Sequence, residues 1–258
     1  MVLYYCQLTL HDNVFFATRE MGILYETEQY LHNWALSYAF FGDTYIPLSY
    51  ANLGQYIQKP GYLDPKFEQN LLYLNPQGIY VFPGFPQRYF YQINTFKAAQ
   101  VNYYGRSKKF GEKGASRNYP INYGRAKELG VGSEYSTYIY SKKEIDLPRW
   151  IRLGKWMAKV KVDSHQIPDS AIALRSGTYA CHHPLNPLDL PESQEILLYN
   201  RIVMPPVSLI AQAQLSGEYC ELKGDDWDRF RRDFPELKAE VCLPVGVAYG
   251  AREIANVS

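Results

Sequence analysis

The chain opens with a two-residue period. Val2, Tyr4, Cys6, Leu8 and Leu10 alternate with Leu3, Tyr5, Gln7 and Thr9, which predicts a half-buried strand at the start. "HDNVFFATREMG" breaks the period and reads as a loop. In "YETEQYLHNWALSYAFFG" the period lengthens: Thr27, Tyr30, Leu31, Trp34, Ala35 and Tyr38 share one helical face, predicting a helix near 25–41. Glu26 and Glu28 lie near its start, where the macrodipole favours negative charge, and Gly42 is a natural stop. Strand, loop and amphipathic helix form the opening of a ferredoxin-like unit.

Residues 43–77 are turn-rich, with Pro47, Pro60, Pro65 and Pro76. "GIYVF" and "RYFYQINTF" read as strands separated by "PGFPQ", and "EYSTYIYS" as another. "KWMAKVKV" reads as a strand with Trp156, Ala158, Val160 and Val162 on one face and Lys155, Lys159 and Lys161 on the other, with Met157 among them. "EILLYNRIVM", "SLIAQAQLSGEYCEL" and "EVCLPVGVAYG" add strands, the last with period two from Val241 to Tyr249. "DDWDRFRRDF" carries acids first and arginines last, with Pro235 after it, and reads as a short helix. Many strands and two helices place the chain in the α+β class, as one domain over 1–258.

Charge changes this picture. The whole chain has a net charge of +1. Between Lys97 and Lys143 ten Lys and Arg residues face three Glu, a local +7. Tyr103, Tyr104, Phe110, Tyr119 and Tyr123 interleave with the cations, and glycines allow close backbone approach. Cations bind phosphates and aromatic faces stack bases, so 97–143 reads as an inserted arm for a nucleic-acid backbone. Its candidate contacts are Lys97, Tyr103, Tyr104, Arg106, Lys108, Lys109, Lys113, Arg117, Tyr123, Arg125 and Lys127. "WIRLGKWMAKVKV" offers Arg149, Arg152, Lys155, Lys159 and Lys161, with Trp150 and Trp156, as a second wall of the same groove. The plainer readings are a solvated insertion and an ordinary strand with lysines on its wet face.

Other chemistry is thinly represented. His11, His32, His182 and His183 are scattered, and a lone histidine is more often structural than catalytic. Cys6, Cys181, Cys220 and Cys242 form no CxxC pair and read as reduced thiols. Cys181, His182 and His183 lack a fourth zinc ligand at a familiar spacing. With no Walker loop, GxSxG or HExxH, neither cofactor nor metal is expected. No run approaches the ~20 apolar residues of a membrane helix, and the first residues lack a positive leader, so a cytoplasmic protein is expected. A metal-independent endoribonuclease using His, Tyr or Lys stays open, as does a pure assembly protein that touches no RNA.

"LHDNVFFATREMGILYETEQYLHNWALSYAF", with "WIRLGKWMAKVKV" later, resembles the type I-D CRISPR subunit family called Csc-one, Cas-five-like members of the RAMP superfamily. The resemblance spans nearly the whole chain. It implies a ferredoxin-like (RRM/RAMP) core with a basic thumb hairpin and additional C-terminal strands. It implies a non-catalytic, RNA-binding subunit of a Cascade-type antiviral complex. Such a subunit holds the five-prime handle of the crRNA and meets the large subunit and the Cas-seven-like backbone subunits; contact with target DNA near the PAM is a further expectation. Relatives in another subtype cleave precursor RNA with a Tyr, Lys and His set, which does not map onto residues here. The Phe15 and Phe16 pair, with His11 and Arg19, is expected to face RNA or a neighbouring subunit.

Overall fold

The computed structural model describes residues 1–42, 44–46, 61–67, 69–97 and 123–252. In chain order the strands are β1 (Val2–Leu10), β2 (Arg19–Met21), β3 (Leu24–Glu26), β4 (Tyr80–Val81), β5 (Phe85–Arg88), β6 (Tyr91–Lys97) and β7 (Tyr123–Leu129). There follow β8 (Glu134–Ser141), β9 (Trp150–Leu153), β10 (Ala158–Gln166), β11 (Ile172–Cys181), β12 (Glu195–Ile202), β13 (Leu209–Leu222) and β14 (Val241–Pro244). The α-helices are α1 (Asn33–Phe41) and α2 (Asp225–Phe230).

Three sheets result. The first runs β4-β8-β1-β10-β9, with β5 also on β8; the second runs β11-β13-β12, with β14 also on β13; the third runs β2-β3-β7-β6. The strand predicted at 2–10 is there, but it is buried on both faces. Leu3 and Tyr5 on one side and Cys6 and Leu8 on the other are all sealed from solvent. On the Tyr5 side, Tyr138, Phe230 and Phe234 pack within ring contact. One continuous core runs from Leu3 to Tyr249.

The helix is shorter than its periodicity suggested. Leu24–Glu26 pair in parallel with β7 instead of coiling. The Thr27 hydroxyl accepts from the Phe16 N–H at 2.9 Å and donates to the Phe16 carbonyl at 2.8 Å. These bonds tie Thr27 to the preceding loop, and helix begins only after His32, whose Nδ1 accepts from the Trp34 N–H. The buried residues of α1 are Asn33, Trp34, Leu36, Ser37, Phe40 and Phe41, so the inner face is rotated from the expected Ala35 and Tyr38. Glu26 and Glu28 pair with Arg19 and Lys127 rather than with the helix dipole. Gly42 does close the helix, donating to the Tyr38 carbonyl.

The mostly-β, α+β character stands. Every ladder of the first sheet is antiparallel, and β8 lies between β1 and β4, the two strands that α1 connects along the chain.

The interval 97–143 also divides differently. β6 and β7 pair antiparallel from Tyr91 opposite Leu129 to Lys97 opposite Tyr123, so 98–122 begin and end at paired neighbours. β8, by contrast, is an inner strand of the first sheet, buried from Tyr135 to Ser141, so an arm reaching 143 is too long. "KWMAKVKV" is not one strand: β9 and β10 form a hairpin with Gly154 to Met157 as its turn. "PGFPQ" contributes to β5 rather than separating strands. Beyond Pro244 the period-two segment leaves the sheet, because Tyr249 turns inward and exchanges hydrogen bonds with Asn75 through its backbone N–H and carbonyl.

Candidate nucleic-acid interface

Three segments that are distant in sequence meet at the foot of the β6–β7 hairpin. Val14 and Leu129 exchange backbone hydrogen bonds, both 2.9 Å, which fasten the first loop to β7. One residue on, the Phe15 carbonyl accepts from the Lys155 N–H at 2.8 Å, which fastens the same loop to the β9–β10 turn. That contact depends on Gly154. Its φ is +79°, and a Cβ there would lie 2.8 Å from the Phe15 oxygen, so only glycine allows the two backbones this close.

The join sets the aromatic residues. Phe15 is buried, and Trp156 stacks on it with ring centroids 4.4 Å apart and planes 26° from parallel. The indole is still half exposed. Trp156 is thus a plate braced on its inner face. At the start of β9, Trp150 is also exposed. The His11 ring meets it edge-on at 4.9 Å, and Lys159 Nζ lies 4.0 Å from its centroid, within cation–π range. The exposed Arg152 donates to the Met157 carbonyl and stands 3.9 Å from Asp12. Lys155 is exposed in the turn.

Other candidates lie along the third sheet. Arg125 is exposed on β7. Lys127 is half buried, 3.4 Å from Glu26 and 4.2 Å above the Tyr91 ring. Arg19 pairs with Glu26 and Glu28 at the edge of this sheet. Lys97 and Tyr123 face each other across the last described rung of the hairpin. Tyr103, Tyr104, Arg106, Lys108, Lys109, Lys113 and Arg117 lie outside the described residues. The expectation of an exposed phenylalanine pair is corrected: Phe15 is covered by Trp156 and Phe16 is half buried. Phe15 therefore supports the surface rather than forming it. Trp150 and Lys159, expected in the second wall, lie on this face; Arg149 is exposed, and Lys161 pairs with Asp163 at 2.8 Å. Their placement on two strands of a hairpin was hidden by reading "KWMAKVKV" as one strand.

The remaining chemistry-bearing residues are mostly inside. His32 is buried, its Nε2 bonded to the Val207 carbonyl, and burial pushes it down to about 4. His183 bonds the Pro83 carbonyl and is likewise pushed down by burial to about 4. Both rings are neutral near pH 7 and hold backbone. Asp189 is fully buried and accepts from Asn33 Nδ2, Trp34 Nε1, Tyr80 OH and the Gly250 N–H. Burial nevertheless raises its carboxyl to about 6. Burial pushes the Cys6, Cys181, Cys220 and Cys242 thiols up, which makes thiolate chemistry unfavourable. Among the described residues no group of His, Cys, Asp and Glu could hold a metal ion, and no helix is long and apolar enough to cross a membrane.

The chain is similar over 88% of its length to a CRISPR protein from Archaeoglobus fulgidus solved by crystallography, covering 97% of that chain at 7% identity and a TM-score of 0.33. None of the curated proteins matches it. Residues 1–252 match the family described as type I-D CRISPR-associated protein Cas5/Csc1. The chain belongs to the type I-D CRISPR-associated Cas5/Csc1 family.

Proposed function

We propose that this protein is a non-catalytic RNA-binding subunit of a type I-D CRISPR effector complex. It holds the five-prime handle of the crRNA at the foot of its basic hairpin, in the cytoplasm, beside the large subunit and the Cas-seven-like backbone subunits. Family membership supports a place in CRISPR defence within a multisubunit assembly. One observation carries the RNA-binding reading. The root of the basic segment, the first loop and the tryptophan hairpin are bonded into one surface, and Trp156 is braced on Phe15 with its outer face free. An aromatic plate flanked by cations is the usual grip on single-stranded nucleic acid. Cations at Arg125, Arg152, Lys155 and Lys159 supply phosphate contacts around it.

The non-catalytic reading is supported by the positions of the histidines. His32 and His183 hold main-chain carbonyls from inside the core, and His11 is turned edge-on to Trp150. Incubating the pure chain with CRISPR repeat RNA in EDTA tests both parts. The expected outcome is RNA retained and intact. Cleavage without metal, lost in His11→Ala, would instead make it an endoribonuclease; no retention would leave an assembly protein.

A further inference from the structure

A cleft of about 510 Å³ opens between the first sheet and the second. Its size suits one small ligand group. Phe85 on β5 and Tyr138 on β8 line one side; β12, β13 and the segment before β14 line the other. Three features set it apart from an idle gap between sheets.

The first is backbone. β13 carries one extra residue opposite Leu198–Asn200, whose partners are Gln214 and Ala211. At this bulge Gln212 has φ +50°, a left-handed conformation rare for a side chain of its kind. Bulges beside sites re-aim a side chain, and Gln212, with Asn200 donating to its Oε1 at 2.7 Å, lines the cleft.

The second is unspent hydrogen-bonding capacity. The Tyr138 hydroxyl makes no hydrogen bond to any described residue, although the ring is almost wholly buried. His183 Nε2 points its proton at the Pro83 carbonyl, which leaves Nδ1 as an acceptor. The amide ends of Gln212 and Asn200 add donors and acceptors. This mixture suits the edge of a nucleobase, and Phe85 supplies a ring against its face.

The third is charge. Arg201 and Lys238 line the cleft, are exposed, and form no ion pair among the described residues. Two acids of the cleft are ion-paired, Glu28 with Arg19 and Glu240 with Lys223; the third, Glu236, keeps its charge and accepts from the Tyr5 hydroxyl and Gln7. Arg19 lines the cleft as well, and the chain Lys127–Glu26–Arg19 leads from β7 to it.

We propose that this cleft takes one unstacked nucleotide of single-stranded RNA, with its base against Phe85 and the Gln212 and Asn200 amides and its phosphate at Arg201 and Lys238. The inference rests on the RNA-binding reading above and adds a second, base-contacting site to it. The test is photocrosslinking of the full chain to a thiouridine-substituted single-stranded RNA, with the linked peptides identified by mass spectrometry. Crosslinks within β8 or β12–β13 are expected. Val203→Trp, at an exposed position lining the cleft, should reduce them about tenfold while linkage to the Trp150–Met157 turn persists. Tyr138→Phe, which removes one oxygen, should weaken them several-fold with unchanged melting.

If RNA binds but links to the tryptophan turn alone, the cleft is not a nucleotide site and the RNA-binding reading survives. If Val203→Trp leaves RNA crosslinks unchanged and instead blocks incorporation into the effector, a neighbouring subunit's peptide is the occupant and the proposal is wrong. If RNA does not bind the wild-type chain, both fall together.

Discussion

Around Asp189 the protein packs Asn33, Trp34, Ser37, Tyr80, Asn186 and Tyr249 into the core, and hydrogen bonds join their polar atoms to one another. Around Trp156 it sets His11, Trp150, Arg152, Lys155 and Lys159 on the surface, with the indoles and cations half open to water. Both clusters are rich in residues that carry chemistry. In the first, the hydrogen bonds are consumed in holding α1 to the last described segment of the chain. In the second, only the inner faces are used, and the outer faces are left for something else. Residue type did not distinguish them; the fate of their polar atoms does.

The sharpest way to break this contrast is to open the inner cluster. Asp189→Ala removes the carboxylate to which four buried groups donate, and Trp34 Nε1, the Tyr80 hydroxyl and the Gly250 N–H lose their acceptor. Each unsatisfied group costs about 1–3 kcal/mol, so a loss of roughly 3 kcal/mol or more is expected in denaturant melts at pH 7. RNA affinity of the fraction that remains folded should be unchanged.

Acid should act on the same inner region. His32 and His183 have folded values lowered from 6.5 to about 4. Their contribution is complete above pH 6.5 and is lost as pH falls toward 4. Asp189 is raised from 3.8 to about 6. Its contribution has the opposite sign: full below 3.8, lost as pH rises through about 6. Between pH 7 and pH 5 the histidines outweigh the aspartate, for a net loss of about 2 kcal/mol. Urea titrations at the two pH values check this; equal stability would show that neither imidazole is held neutral by the fold.

A smaller change separates the clusters from the other side. Gly154→Ala forces a methyl group toward the Phe15 carbonyl in a left-handed turn, at a cost of about 1–3 kcal/mol in strain or a shifted loop. It should weaken RNA binding by displacing the braced indole. Unchanged affinity would detach the turn from the interface.

Arg152→Ala with Lys155→Ala should reduce the salt dependence of RNA binding by about 0.7 in slope for each phosphate that is no longer neutralised. Arg106→Ala, Lys108→Ala and Lys109→Ala together should reduce it by about 2 if all three reach phosphate. Thermal melting should stay constant in both.

Much of the β framework was legible because its strands alternate; β10 and β13 are examples. β11 was not: residues 174–178 are exposed, so no apolar period marks it, and only its long ladder to β13 defines it. The helix start was misplaced because Thr27 fits a helical face, whereas the parallel rung at Tyr25 and the Thr27–Phe16 bonds keep this segment out of the helix. At the interface, the cations and tryptophans could be named from composition and spacing. Their assembly could not, because it depends on two backbone contacts, Val14 with Leu129 and Phe15 with Lys155, between residues far apart in the chain. The cleft was invisible for the same reason: its lining comes from all three sheets.

The most direct test of the central claim is the affinity of Trp156→Ala for crRNA handle RNA, measured across salt concentrations with melting as the control. The account predicts a loss of about 1–3 kcal/mol in binding and an unaltered salt slope, since a stacking plate is removed and no phosphate contact is touched, with melting lowered by no more than a few degrees for the lost Phe15 stack. Wild-type affinity in this variant, with RNA binding otherwise intact, would contradict the account and show that the braced tryptophan faces a protein neighbour or solvent.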